Sequence, residues 1–191
     1  MIRYIPRGEA DATPLAGLPG WFSALLRLRG VGTEEEARQF LAPTLAELHD
    51  PMLMPGMGKA LELIREAIGR KDPIMVYGDY DADGICASAI LAETLREEGA
   101  RADIYLPSRH REGYGLNREA VEAIAREYRL LITVDCGISN AEEVRRAKEM
   151  GMTVIVTDHH EPPETLPPAD VAMDPLLGGY PCARLCGAGS R

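Results

Sequence analysis

The sequence predicts an α/β fold in which a parallel sheet is flanked by helices, and three observations support it. Short β-branched and aromatic runs alternate with longer stretches of helical period over residues 59–191. Acidic residues follow directly after several of these runs. Residues 1–58 lack the alternation and are rich in Pro and Gly. We therefore expect one α/β domain over residues 59–191, preceded by an N-terminal helical arm over residues 1–58.

Each element is predicted from a local pattern. In the arm, the amphipathic stretch Glu34–Leu41 and a shorter one before Asp50 predict helical segments. In the domain, apolar runs predict strands, and periodic stretches closed by Gly predict helices. The predicted order is helix Met57–Gly69, strand Ile74–Gly78, helix Ile85–Glu98, strand Ala102–Leu106, loop Pro107–Leu116, helix Arg118–Tyr128, strand Leu130–Val134, helix Ala141–Met150 and strand Thr153–Thr157.

Two details refine this prediction. Ser139 and Glu142 have the spacing of a capping box for the helix over Ala141–Met150, and Gly151 is expected to end that helix. Alternating strands and helices also imply a doubly wound sheet, in which ligands bind outside the carboxyl ends of the strands. The residues that follow each strand are therefore the first candidates for a functional site.

Asp79, Asp81 and Asp83 stand at alternate positions immediately after the first strand. Three carboxylates so close together repel one another, and a divalent cation bound among them relieves the repulsion. An EF-hand calcium loop is one alternative, but its twelfth position is Ile90, which cannot ligate a cation. A solvated acidic loop is the other alternative, and further ligands elsewhere in the chain disfavour it.

Such ligands follow the third and fourth strands. Asp135 comes directly after the third strand, and Asp158, His159 and His160 come after the fourth. Because the carboxyl ends of parallel strands lie at one edge of a sheet, we expect these side chains to converge with the Asp79–Asp83 cluster. A set of carboxylates with one imidazole can bind two divalent cations ~3.5–4 Å apart.

Within this set, Asp135 is the expected bridging ligand because it is the solitary carboxylate on its strand end. Adjacent residues in extended backbone point to opposite sides. We therefore expect only one of His159 and His160 to reach the cations, and the other to face substrate or solvent.

Composition indicates a cytoplasmic globular protein. Of the 191 residues, 46% are hydrophobic and 27% are charged, and no apolar run approaches the length of a membrane span. The stretch Met1–Arg7 is too short and too interrupted for the core of a signal peptide. Four cysteines without a paired C-x-x-C argue against a zinc site, so reduced thiols are expected.

The net charge of −9 does not by itself favour a nucleic-acid partner. Bound cations would neutralise several of the carboxylates, so the bare charge misstates the local field. Only Lys59, Lys71 and Lys148 are lysines, which leaves 21 − 3 = 18 arginines whose guanidinium groups suit phosphate. Charge therefore leaves the question open.

The motifs resemble those of a known family. Asp79–Gly84, Val134–Gly137 and Asp158–His160 resemble successive motifs of the DHH phosphoesterase superfamily. From about residue 40 to the last residues, the chain is similar to the RecJ family of single-stranded-DNA exonucleases within it. The additional motifs are Leu48–Pro51, Gly56-Met57, Ala60 and Ser108–Asn117.

The resemblance implies a Rossmann-like DHH domain that hydrolyses single-stranded DNA from 5′ to 3′ in recombination and repair, with two Mn²⁺ or Mg²⁺ ions. His160 would contact the scissile phosphate, and Asp158 would orient the histidines. The phosphate of the substrate would be held by Arg109 and His110, while Gly113 and Gly115 would let the backbone approach it. The implied metal ligands are Asp79, Asp81, Asp83, Asp135 and His159.

The family pattern extends beyond this chain. The family has a further acidic ligand after the segment matching Leu185–Gly189, and later domains, so we expect an N-terminal fragment that is incomplete at the C-terminus. Implied partners are single-stranded DNA, a single-stranded-DNA-binding protein and a helicase, and no membrane partner is expected. Two alternatives stay open: a DHH enzyme acting on short oligonucleotides, cyclic dinucleotides or pyrophosphate, and a non-catalytic binding module.

Overall fold

A computed structural model describes residue 8 and residues 11–190, so the stretch Met1–Arg7 considered above lies outside the described residues. The chain forms two compact units, residues 1–48 and residues 49–191. The domain boundary predicted at residue 58 stays a prediction. Among the described residues, no helix has both the length and the apolar character that crossing a membrane requires.

The first unit contains helices α1 (Gly20–Arg27) and α2 (Glu34–Leu41) and a 3₁₀ turn over Leu45–Glu47. Thr33 caps α2 in a reciprocal capping box with Glu36, which explains why the helix begins where its amphipathic pattern begins. Leu26, Val31 and Ala37 form its small core. The helix predicted over Glu34–Leu41 is confirmed, whereas the stretch before Asp50 forms only the 3₁₀ turn over Leu45–Glu47.

The second unit is built on a five-stranded, all-parallel sheet in the order β2-β1-β3-β4-β5. Its strands are β1 (Ile74–Gly78), β2 (Ala102–Tyr105), β3 (Leu130–Val134), β4 (Thr153–Thr157) and β5 (Val171–Met173). From β1 the chain crosses to β2 at one side and then returns to β3 on the other side. The strand order therefore reverses between β1 and β3, which is where open α/β sheets bind ligands.

Helices cover both faces of this sheet. They are α3 (Met57–Arg70), α4 (Ala82–Glu97), α5 (Arg118–Glu127) and α6 (Ala141–Glu149). Alternate residues of each strand point to opposite faces, so Val76 packs with α3 and α4 while Tyr77 packs with α5 and α6. The predicted α/β class with helices on both faces of a parallel sheet is confirmed.

Two expectations about the elements were wrong in detail, and one strand was missed. Helix α4 begins at Ala82 instead of Ile85, because the side chain of Asp81 caps it. The capping box at Ser139 is absent: Asn140 is the N-cap residue of α6, and no side chain caps that helix. Strand β5 was not predicted, because three residues are too few to show a periodic pattern.

Candidate metal centre

The turn from β1 into α4 depends on two glycines and an aspartate cap. A Cβ at Gly78 would lie 1.9 Å from Oγ of Ser88, and a Cβ at Gly84 would lie within 2.8 Å of the main chain of Asp79. Oδ1 of Asp81 accepts the main-chain N–H groups of Asp83 and Gly84, at 2.8 and 3.0 Å. The three aspartates are thereby fixed around the amino-terminal end of a helix, where negative charge is favoured.

Asp79 and Asp83 differ in their surroundings. Asp79 is buried, and its Oδ1 has no hydrogen-bond partner among the described residues. Burial raises the pKa of Asp79, and the charge of Asp81 adds to that effect. Asp83 lies in the first turn of α4, where its two carboxylate oxygens accept main-chain N–H groups of Gly187 and Ala188. Burial raises the pKa of Asp83, but these hydrogen bonds outweigh burial and the net shift is downward.

Asp135 occupies a special backbone position directly after β3. Its φ is +61°, in the left-handed region that Asp tolerates better than most residues. The side chain is 2% exposed. Burial and the nearby charge of Asp83 raise the pKa of this carboxyl to about 6. Buried carboxyl groups with a shifted pKa and an uncommon backbone conformation occur frequently at functional sites.

Asp158 organises the two histidines that follow β4. Its Oδ1 accepts the main-chain N–H groups of His159 and His160 at 2.8 and 3.2 Å, and lies 2.7 Å from Nδ1 of His160. Its Oδ2 accepts the N–H of Ile138 at 3.0 Å. The expectation that the two histidines point to opposite sides is wrong: their ring centroids are 4.6 Å apart. The backbone is turned around the Asp158 carboxylate instead of extended, so both rings face the same region.

His159 points at the carboxylates. Its Nε2 lies 2.8 Å from Oδ1 of Asp135 and 3.6 Å from Oδ2 of Asp83. The shorter approach lacks hydrogen-bond geometry, and Oδ1 of Asp135 has no hydrogen-bond partner in the part of the chain that the structure describes. Oδ1 of Asp135 is thus a second buried acceptor, in addition to Oδ1 of Asp79, that a bound cation would satisfy.

Two groups of ligand atoms share Asp135. The ligand atoms of Asp79, Asp81 and Asp135 lie within 4.8 Å of one another, and so do those of Asp135, His159 and His160. Carboxylate oxygens are the ligands that suit Mg²⁺ and Mn²⁺, and the imidazole nitrogens add a donor that also suits transition metals. The residues therefore fit a centre for divalent cations, with Asp135 between its two halves.

The loop between β2 and α5 borders this centre. The guanidinium carbon of Arg109 lies 5.1 Å from the ring centroid of Tyr80, in a cation–π arrangement. The hydroxyl of Tyr114 lies 3.0 Å from Nδ1 of His160. Gly113 and Gly115 both have positive φ, and His110 is exposed on the same loop. Arg109 is the one predicted phosphate-binding side chain that a described contact joins to the aspartate cluster.

The chain also matches a known protein family. Residues 73–189 match the family described as the DHH family, N-terminal domain, which is well over half of the chain. The chain belongs to the DHH family. The DHH fold predicted from the strand-end motifs is thereby confirmed.

The DHH chain is also similar to RecJ proteins. It is 44% identical over 170 residues to the single-stranded-DNA-specific exonuclease RecJ of Bacillus subtilis (strain 168), over 87% of this chain and 22% of that protein. A crystal structure of exonuclease RecJ bound to manganese matches with a TM-score of 0.70 and 40% identity, over 75% of this chain and 37% of that one.

RecJ from Thermus thermophilus in complex with Mn²⁺ matches with a TM-score of 0.67 and 36% identity, over 88% of this chain and 23% of that one. The same protein has also been solved with Mg²⁺. The resemblance to RecJ inferred from the sequence is confirmed as a similarity, and the DHH chain spans between a fifth and two fifths of the length of these proteins.

Some residues of the DHH domain that shape this centre were missed in the sequence. Asp174 follows β5 as Asp79, Asp135 and Asp158 follow their strands; it is fully buried, and its Oδ2 has no hydrogen-bond partner among the residues described. An Asp-Pro pair after the short run Val171–Met173 was the available signal. The contacts of Gly187 and Ala188 with Asp83 had no local signal, because they join residues 104 and 105 positions apart.

Proposed function

We propose that this chain carries the phosphodiesterase centre of a 5′→3′ single-stranded-DNA exonuclease, in a DHH domain over residues 59–191. The observation that carries the proposal is the position of Asp135 in both groups of convergent ligand atoms. One carboxylate shared by two groups is the arrangement expected for a pair of cations in phosphoryl transfer. The similarity to RecJ exonucleases supports single-stranded DNA as the substrate.

In this proposal the metal ligands are Asp79, Asp81, Asp83, Asp135 and His159. When bound, two Mn²⁺ or Mg²⁺ ions would activate the attacking water and neutralise charge on the phosphoryl oxygens. Their fit is supported by the buried Oδ1 atoms of Asp79 and Asp135, which lack a hydrogen-bond partner within the described part of the chain. The left-handed backbone of Asp135, with φ of +61°, also supports the proposal, because uncommon backbone conformations of this kind cluster at functional sites.

His160 and Asp158 would act on the phosphate together. Burial lowers the pKa of His160, but the hydrogen bond and charge of Asp158, with Asp135 and Asp79, outweigh burial and raise it. A protonated imidazole held by Asp158 can donate from Nε2 to a phosphate oxygen while Nδ1 stays bonded to the carboxylate. His160 would thus contact the scissile phosphate, and Asp158 would orient it.

The loop after β2 would bind the DNA backbone. The Tyr80 ring holds the Arg109 guanidinium beside the aspartate cluster, where it could form a forked pair of bonds with a phosphate. His110 would contribute a second phosphate contact, and Gly113 and Gly115 would allow close approach of the backbone. A single-stranded-DNA-binding protein and a helicase are proposed as further partners, and the cytoplasm as the location, because these follow from a role in DNA repair.

The experiment is a nuclease assay with the purified chain in Mn²⁺. The substrates are a single strand labelled at its 5′ end, the same strand labelled at its 3′ end, its duplex and a short dinucleotide. We expect label release first from the 5′-labelled single strand, no cleavage of the duplex, and loss of activity in Asp135→Ala. Mn²⁺ binding is measured on the same samples, so that a metal centre without turnover is recognised.

The outcomes separate the candidate functions. Faster hydrolysis of the dinucleotide than of the long strand would replace the exonuclease proposal with a phosphoesterase of small substrates. Mn²⁺ and DNA binding without any hydrolysis would indicate a binding module. No Mn²⁺ binding would contradict the metal centre itself.

A further inference from the structure

We propose that the main-chain N–H groups of Gly187 and Ala188 are a positioning element of the metal centre, which holds the Asp83 carboxylate in the orientation that binds a cation. The inference rests on the metal-binding function proposed above. It assigns a role to a segment that contains no metal ligand and that no strand-end motif includes.

The hydrogen bonds at Asp83 are short and paired. The N–H of Gly187 donates to Oδ2 at 2.7 Å, and the N–H of Ala188 donates to Oδ1 at 2.6 Å. Successive main-chain N–H groups that grip one anion in this way form a nest, and hydrogen bonds to a charged acceptor are among the stronger ones. Both oxygens of Asp83 are therefore fixed by main-chain donors.

These bonds leave Asp83 able to bind a cation. An ionised carboxylate has about four lone-pair sites, of which the two N–H groups occupy two. On the side of Oδ2, Nε2 of His159 lies 3.6 Å away, so the carboxylate faces another proposed ligand. The nest thus orients Asp83 towards the centre.

Gly187 also contacts the second carboxylate of the centre. A Cβ built on Gly187 would lie 2.7, 2.8 and 2.9 Å from Oδ1, Cγ and Cβ of Asp135. These distances are too short for real contacts, and they all involve the buried side chain of one proposed ligand. The absence of a side chain at position 187 therefore sets how closely the Asp83 and Asp135 carboxylates approach each other.

The energetic reason for such a nest is the cost of ordering ligands. A side chain in the first turn of a helix has several rotamers, and binding a cation would have to select one of them. Residues Ala188–Ser190 form a 3₁₀ turn that packs against α4, the helix that carries Asp83. The nest and the ligand are thus held on packed elements before a cation arrives.

The test compares Gly187→Ala with the matched control Gly189→Ala in the same segment. At Gly189 a Cβ would meet only ordinary contacts, the nearest being Sγ of Cys186 at 3.4 Å. Mn²⁺ affinity is measured by titration calorimetry and by electron paramagnetic resonance of free Mn²⁺, on protein stripped with EDTA. We expect Gly187→Ala to bind Mn²⁺ about 10–100-fold more weakly than the wild type, as for other supports of metal ligands, and Gly189→Ala to stay within about twofold.

A second variant keeps the test decisive if Gly187→Ala does not fold. Ala188 is the first residue of its 3₁₀ turn, a position where Pro is tolerated, so Ala188→Pro removes one N–H donor to Asp83. We expect a loss of about tenfold in Mn²⁺ affinity with thermal unfolding in EDTA unchanged. A purely structural role would instead lower the unfolding temperature and leave the affinity of the folded protein as it was.

The results distinguish this inference from the proposed function. Wild-type affinity in both folded variants would overturn the inference and leave the metal centre standing. Tighter Mn²⁺ binding in either variant would also overturn it, because the nest would then compete with the cation. Absence of Mn²⁺ binding by the wild-type chain would overturn both proposals.

Discussion

Nδ1 of His160 lies 2.7 Å from Oδ1 of Asp158, the same oxygen that accepts the main-chain N–H groups of His159 and His160. One carboxylate oxygen of Asp158 therefore stabilises the turn of the backbone and determines which nitrogen of the His160 ring carries the proton. Nδ1 carries the proton in this arrangement, because the ionised carboxylate can only accept. In the proposed function, Nε2 of His160 is the nitrogen that would contact the phosphate.

The first prediction concerns Asp158→Asn. Oδ1 of the amide can still accept the main-chain N–H groups of His159 and His160, whereas its N–H₂ group faces the N–H of Ile138 and cannot accept it. The lost charge no longer stabilises the imidazolium. We expect the pKa of His160 in metal-free protein to fall, measured by NMR titration of the imidazole signals. Glu161→Gln, which removes an exposed carboxylate next to His160, is the control and should leave that pKa unchanged. An unchanged value in Asp158→Asn would refute this account of the pair.

The second prediction concerns Asp135→Asn. Asn is chosen because it also tolerates the left-handed backbone at this position. Since burial and the charge of Asp83 raise the Asp135 pKa to about 6, its ionised form destabilises the metal-free fold at neutral pH. We expect the free energy of unfolding in EDTA to rise by ~1 kcal/mol, while Mn²⁺ affinity falls at least about tenfold.

Urea unfolding in EDTA and Mn²⁺ titration measure the two effects of Asp135→Asn separately. They should have opposite signs, because the same charge that destabilises the empty fold attracts the cation. A variant that is less stable in EDTA, or one that keeps wild-type Mn²⁺ affinity, would contradict the assignment of Asp135 to the centre.

Strands β1, β3 and β4 were predicted residue for residue, and the physical reason is burial. Strands covered by helices on both faces form nearly continuous apolar runs, whose ends are marked here by the first charged residue. In this protein that charged residue is an aspartate each time, namely Asp79, Asp135 and Asp158. The signal for the sheet and the signal for the candidate site therefore coincide in the sequence.

The remaining features depend on contacts that local patterns do not encode. The nest at Asp83 joins residues more than a hundred positions apart, and Asp174 follows a strand of only three residues. The shared orientation of His159 and His160 results from hydrogen bonds to Asp158, which alternation along a strand cannot reveal. Sequence patterns located the candidate ligands, whereas tertiary hydrogen bonds set the directions of their side chains.

The third prediction concerns Glu112, which holds the loop that carries Arg109. Its Oε2 accepts the main-chain N–H of Ser108 at 2.6 Å, and its Oε1 accepts from the Tyr105 hydroxyl and from Nδ2 of Asn117. Glu112→Gln places an amide N–H₂ against one of these donors. We expect a loss of about 1–2 kcal/mol in unfolding free energy and faster hydrogen exchange at Ser108.

Glu119→Gln, at an exposed position in the first turn of α5, is the control for Glu112→Gln and should change neither quantity. Urea unfolding and amide exchange followed by NMR provide the measurements. If Ser108 exchanged at the wild-type rate in Glu112→Gln, the carboxylate would not be what orders the loop.

The fourth prediction concerns Asp174→Asn and pH. Burial raises the pKa of Asp174, and the charge of Asp158 raises it further. The pKa of Asp174 in the folded protein thus lies above its unfolded value of 3.8. Protonation of Asp174 therefore favours the folded state, fully so at pH values below 3.8, and this contribution is lost as pH rises through the pKa of the folded protein. Asn keeps an acceptor for the N–H of Leu176 but has no charge to bury.

In EDTA, Asp174→Asn should therefore be more stable than the wild type by ~1 kcal/mol at pH ~7 and equally stable at pH ~3.5. Urea unfolding at the two pH values measures the difference. A constant difference at both pH values would show that packing, and not ionisation, explains the effect.

The last prediction compares two glycines of the loop after β2. Gly113 and Gly115 have φ of +80° and +83°, so alanine is strained at either position. At Gly113 a Cβ would meet nothing within 4 Å, whereas at Gly115 it would lie 2.7 Å from Oδ1 of Asn140. That oxygen accepts the main-chain N–H of Leu116 at 3.3 Å, so moving it would break a contact between the loop and the start of α6.

Gly113→Ala should lower the unfolding free energy by about 1 kcal/mol, and Gly115→Ala by about 2–3 kcal/mol, measured by urea unfolding. Equal losses would mean that Asn140 adjusts without cost, and that both glycines serve only the backbone conformation of the loop.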